Sequence, residues 1–82
     1  MATQRLRVLV SKHEDMYVAQ CLEHDVAVQA PDMTTLQRRF EATIDAEDLN
    51  NIDPAPQKFH DIWGAAQELE SRIENAEMRL AA

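Results

Sequence analysis

The sequence predicts an α+β protein: a three-stranded antiparallel meander with one helix packed across it, then a Pro-rich linker and a C-terminal amphipathic helix. Three observations predict it. Three short apolar segments separated by polar bends open the chain (Arg5–Val10, Met16–Leu22 and Val26–Ala30). A segment with helical spacing, Thr35 to Leu49, follows them. A second one, Phe59 to Leu80, lies beyond Pro54 and Pro56. The expected division is a β-β-β-α domain over 1–49, a linker over 50–56 and the last helix over 57–82.

In the first strand, Leu6, Val8 and Val10 share one face, with Arg5, Arg7 and Leu9 on the other. Ser11 to Asp15 is polar and short, as a hairpin loop requires. The second strand sets Tyr17, Ala19 and Cys21 against Met16, Val18, Gln20 and Leu22. Neither face is fully polar, which suits a central strand or a sheet covered on both sides. Glu23-His24-Asp25 makes the next bend. Pro31 ends the third strand, because it has no N–H for the ladder. Thr34 and Gln37 have capping-box spacing, with Asp32 as the rival cap, and Leu36, Phe40 and Ile44 form the ridge that meets the sheet.

Beyond the linker, Phe59, Ile62, Ala66, Leu69, Ile73, Ala76 and Leu80 step alternately by three and four. This is a heptad seam, flanked by Arg72 and Arg79 on one side and Glu70 and Glu77 on the other. It predicts an oligomerisation helix built on Phe59, Ile62, Trp63, Ala66, Leu69, Ile73 and Leu80, with Trp63 as an exposed aromatic anchor beside the seam. An amphipathic helix folding back on its own sheet is the competing reading. Two alanines in the seam and Gly64 nearby leave both open.

Size and charge restrict the function classes. A chain of 82 residues makes one small domain. Such a chain buries only ~60% of its unfolded surface, so self-association, a dimer above all, is the expected reinforcement. One cysteine, Cys21, excludes a disulfide within the chain and fits a reducing cytoplasm. No apolar run approaches the ~20 residues of a membrane span, and no signal-peptide stretch follows Met1. The net charge of −7 disfavours nucleic acid and favours a basic protein partner. Arg5, Arg7, Arg38 and Arg39 are the only material for a nucleic-acid patch.

Catalytic and metal readings are weak. Cys21 and His24 have ligand-like spacing, but a zinc site needs further ligands that do not follow. Glu41, Asp45 and Asp48 share a helix face, more commonly a solvated face than a cation site. His13, His24 and His60 as general bases each need a nucleophile and an orienting group in reach, and Ser11 beside His13 lies in a hairpin loop; the single glycine, Gly64, provides neither a phosphate loop nor an oxyanion elbow. The expectation is a protein that is not an enzyme and has no cofactor or metal.

The wording Tyr17-Val18-Ala19-Gln20-Cys21-Leu22-Glu23-His24-Asp25, then Val28-Gln29-Ala30, then Thr35-Leu36 at the helix start, resembles the HicB-like antitoxin family over about Leu6 to Glu47. The resemblance implies a truncated ribonuclease H-like domain without catalytic carboxylates. It also implies a function: binding and blocking a small basic HicA-type toxin, an mRNA interferase. The family's DNA-binding segment has no counterpart after Asn51, where only one acidic helix is expected. The partner-binding residues expected on this reading are Glu23, His24 and Asp25 at the bend, with Glu41 and Asp45 on the helix.

Overall fold

The computed structural model describes residues 5–69 and 76–81. Strands β1 (Leu6–His13), β2 (Met16–Cys21) and β3 (Ala27–Ala30) lead into helix α1 (Met33–Ala46). A 3-10 turn (Leu49–Asn51) follows, then helix α2 (Gln57–Ala65) and strands β4 (Gln67–Leu69) and β5 (Ala76–Leu80). The strands form one five-stranded mixed sheet in the order β3-β2-β1-β5-β4. β1 lies at its centre, antiparallel to β2 and parallel to β5, with Leu6 opposite Ala76 and Val10 opposite Leu80.

The expected three-stranded meander is therefore too small, and the expected C-terminal helix over 57–82 is wrong. The helix stops at Ala65, and Ala66 is already extended at φ −80°, ψ 157°. Two causes are visible. Gly64, Ala65 and Ala66 give the helix almost no side-chain surface with which to continue. Further on, Ala76, Met78 and Leu80 alternate with Glu77 and Arg79, which is strand periodicity. A three-stranded sheet would also leave β1, its most apolar strand, as an open edge. Pairing with β5 closes that edge. The heptad seam is an accident of spacing: Leu69 lies in β4, Ala76 and Leu80 in β5, and Ile73 falls outside the described residues.

Each sheet face has its own core. Leu6, Val8 and Val10 meet Ala19, Cys21, Ala76, Met78 and the α1 ridge of Leu36 and Phe40. Ile44 packs against this cluster as a partly buried neighbour. On the opposite face, Leu9 and Leu22 meet Trp63 of α2, with Phe59, Ala66 and Ala81 around them. At the end of β2 the two-sided apolar pattern matches this division, with Cys21 in the α1-side cluster and Leu22, just past the strand, in the Trp63 cluster. Trp63 is only 8% exposed, so it is a core residue and not the anchor expected from the seam.

Local chemistry sets the ends of the elements. Asp32 caps α1, accepting from the Thr35 amide at 2.8 Å and the Thr35 hydroxyl at 3.0 Å. The Thr34–Gln37 capping box does not form; Gln37 instead reaches Met78 Sδ at 3.8 Å. β1 runs three residues past Val10, so the hairpin loop shrinks to Glu14-Asp15, with Glu14 at φ 56°.

Candidate functional site

The bend after β2 is built by main-chain closure. The Val26 amide donates to the His24 carbonyl at 2.7 Å, and the Cys21 amide donates to the Val26 carbonyl at 2.9 Å. The segment after the 3-10 turn docks onto it: Asp25 N–H donates to the Asp53 carbonyl and Ala55 N–H to the Leu22 carbonyl. What composition reads as a linker is thereby pinned to the sheet end.

The side chains of the bend are mostly spent inside the molecule. Glu23 accepts from the Arg7 amide at 2.7 Å and pairs with the Arg7 guanidinium through its second oxygen. His24 is buried, with Nδ1 donating to the Ile52 carbonyl at 3.4 Å and Nε2 without a hydrogen-bond partner among the described residues. A carbonyl only accepts, so this contact places the proton of a neutral ring on Nδ1. Asp25 is exposed and accepts from Gln20 Nε2 at 3.1 Å. Cys21 is fully buried, and burial pushes its thiol above its ordinary value of 9.0. A protonated, enclosed thiol behaves as a small hydrophobe.

Glu41 and Asp45 stand exposed on α1, and no hydrogen bond or ion pair among the described residues joins them to the bend. The five expected contact residues are thus not one cluster. Of the seam residues, Phe59 and Ala66 flank the Trp63 core, Leu69 and Leu80 pack on the α1 side, and Ile62 is the exposed one at 41%. They do not share a helix.

The other candidates are also dispersed. Ser11 Oγ lies 3.0 Å from His13 Nε2 on an exposed strand end, and no hydrogen bond reaches the other ring nitrogen among the described residues. No group of three or more His, Cys, Asp or Glu side chains suited to a metal ion occurs among the described residues. Three of the four arginines are engaged by other groups, while Arg38 is exposed. Arg5 pairs with Glu77 at 3.3 Å, Arg7 with Glu23, and Arg39 donates to the Gln29 carbonyl at 2.7 Å.

Two features escaped the sequence reading. Arg79 stacks on Trp63, its guanidinium carbon 4.4 Å from the ring centroid, and donates to the Trp63 carbonyl at 3.1 Å. At the other end of the sheet, an open groove of about 520 Å³ lies between the β1–β2 turn and the start of α1. It is lined by Lys12, Glu14, Asp15, Tyr17, Asp32 and Met33, with Pro31 beside them. A two-residue loop would have placed Lys12 opposite Tyr17 from sequence alone, but the five-residue loop hid that pairing.

No helix among the described residues is long and apolar enough to cross a membrane. No protein-family model, no curated protein and no solved structure matches this chain.

Proposed function

We propose that this chain is a non-catalytic protein-binding module, resembling a HicB-type antitoxin, that binds a basic protein and occludes its working face. A toxin mRNA interferase is the partner class the resemblance suggests. One observation carries the reading: among the described residues, exposed carboxylates outside any ion pair outnumber the exposed cations outside one, which are Lys12, Arg38, Arg39 and Lys58. Glu14, Asp15, Asp25, Glu41, Asp45, Glu47 and Asp53 are exposed, whereas Arg5, Arg7 and Arg79 are in ion pairs and Arg39 is held by a carbonyl. Such a surface steers a cationic protein and repels phosphate backbones.

The lone buried thiol is compatible with work in the cytoplasm, and the small core with self-association as a dimer. Contact falls to Asp25, Glu41 and Asp45 in this reading; Glu23 and His24 serve it by holding the bend in shape. The test is capture from the native cell on the immobilised full chain at low salt, followed by ribonuclease assay of what is retained. A basic ribonuclease that is inhibited by the chain, and released by Glu41→Lys/Asp45→Lys, supports the proposal. A column that retains no basic protein, or a retained nuclease that keeps full activity, refutes it.

A further inference from the structure

We infer that the groove between the β1–β2 turn and the start of α1 receives an arginine or lysine side chain from a basic protein segment. The inference rests on the protein-binding reading above and names a contact point for it. The groove lies on the α1 side of the sheet, beyond the N-terminal end of the helix. There Lys12 and Tyr17 are cross-strand neighbours, and Tyr17 pairs onward with Ala30. Tyr17 and Met33 are half-buried and packed against the main core, so the floor is fixed in place. Pro31 stiffens one wall.

The chemistry of the lining is selective. Three carboxylates, Glu14, Asp15 and Asp32, face one ammonium, Lys12. The ion pairs among the described residues are Arg5–Glu77, Arg7–Glu23 and Arg79–Glu68, and none involves these three acids. Asp32 is oriented by Thr35, whose amide and hydroxyl hold its carboxyl below the usual value of 3.8. The ring face of Tyr17 already attracts a cation: Lys12 Nζ sits 5.5 Å from its centroid. An aromatic face beside carboxylates that are in no ion pair among the described residues suits a guanidinium, which stacks with its plane and bonds through its edge. Lys12 is thus an internal stand-in for the ligand, and it competes with it.

That competition gives a test with effects of opposite sign. The isotope-labelled full chain is titrated at low salt with the acetylated, amidated tripeptide Arg-Arg-Arg, and amide shifts are followed by NMR. Shifts concentrate at residues 12–17 and 32–34. Glu14→Gly/Asp15→Asn weakens binding about 5-fold, as the loss of two exposed charge pairs implies. Glycine suits the positive φ of residue 14, so the loss is not one of folding. Lys12→Ala tightens binding, while Lys58→Ala and Asp53→Asn/Asp61→Asn, which make the same charge changes on the far segment, leave it unchanged.

Shifts spread evenly over the acidic surface, or equal effects from the far variants, overturn the inference. If the tripeptide ignores the groove while the chain still captures and inhibits a basic nuclease, the groove assignment falls and the functional reading stands.

Discussion

Replacing Trp63 with alanine is the perturbation that separates the observed packing of α2 from a coiled-coil seam. Trp63 is 8% exposed and closes the only apolar cluster on its face of the sheet among the described residues, against Leu9 and Leu22. A buried tryptophan removes roughly 200 Å² from water, which at ~25 cal/mol per Å² is about 5 kcal/mol. Denatured-state compactness lowers that by about 10–40%, to roughly 3–4.5 kcal/mol. The Arg79 stack at 4.4 Å adds about 0.5–1 kcal/mol that the substitution also removes, whereas the bond from Arg79 to the Trp63 carbonyl survives. A domain of this length holds about 4–12 kcal/mol in total, so Trp63→Ala removes roughly a third of it or more. The variant's Tm, followed by far-UV circular dichroism, drops by more than about 12 °C. Ile62→Ala is the paired measurement. Ile62 is 41% exposed and loses under about 1 kcal/mol, although the heptad seam makes it a core position. If Ile62→Ala lowers Tm more than Trp63→Ala does, the assignment of the second core is wrong.

Glu14→Gly alone raises Tm. A left-handed conformation costs a non-glycine residue about 1–2 kcal/mol, and glycine's extra unfolded-state entropy returns about 0.5–1, for a net gain of about 0.5–1 kcal/mol in thermal unfolding. Cys21 does not react with a thiol reagent in the native chain and reacts fully in denaturant, because burial raises its pKa and denies access; native-state labelling at pH 8 at the exposed-thiol rate contradicts its placement. Asp32→Ala lowers Tm at pH 7. The Asp32 carboxyl is depressed in the folded state, so its contribution is present above the ordinary value of 3.8 and vanishes as pH falls below it; the wild-type and Asp32→Ala melting curves therefore converge in acid, and a constant gap refutes the cap. Met78→Asp abolishes cooperative unfolding, since the residue is 2% exposed between α1 and β1, whereas Arg5→Asp, on an exposed side chain, does not.

Residues 6–46 were legible because their signals are local. Alternation in β1 and β2, Pro31 after β3, and the Leu36–Phe40 ridge each decide structure within a few residues. The C-terminal third was not, because its structure depends on a distant partner. Ala76-Glu77-Met78-Arg79-Leu80 reads equally as strand alternation or as part of a 3-4 repeat, and the choice is made by the open edge of β1, about 70 residues earlier by the Leu6–Ala76 register. Trp63 posed the same difficulty: its burial depends on Leu9 and Leu22. At the candidate site, sequence located the acidic bend but could not show that Arg7 neutralises Glu23 or that His24 turns inward. The groove was invisible until the hairpin register put Lys12 beside Tyr17.

The parallel pairing of β1 with β5 also dictates the order in which the chain becomes safe. During synthesis, Leu6 leaves the ribosome about 70 residues ahead of Ala76, the residue that flanks it in the finished sheet. At 5–20 residues per second this is a wait of roughly 4–14 s, with one long side of an apolar strand unpaired. Contacts of such sequence separation also slow folding after release. The newly made chain therefore passes through a sticky interval that its acidic surface offsets by mutual repulsion, and variants that lower that charge without touching the fold should lower soluble yield first.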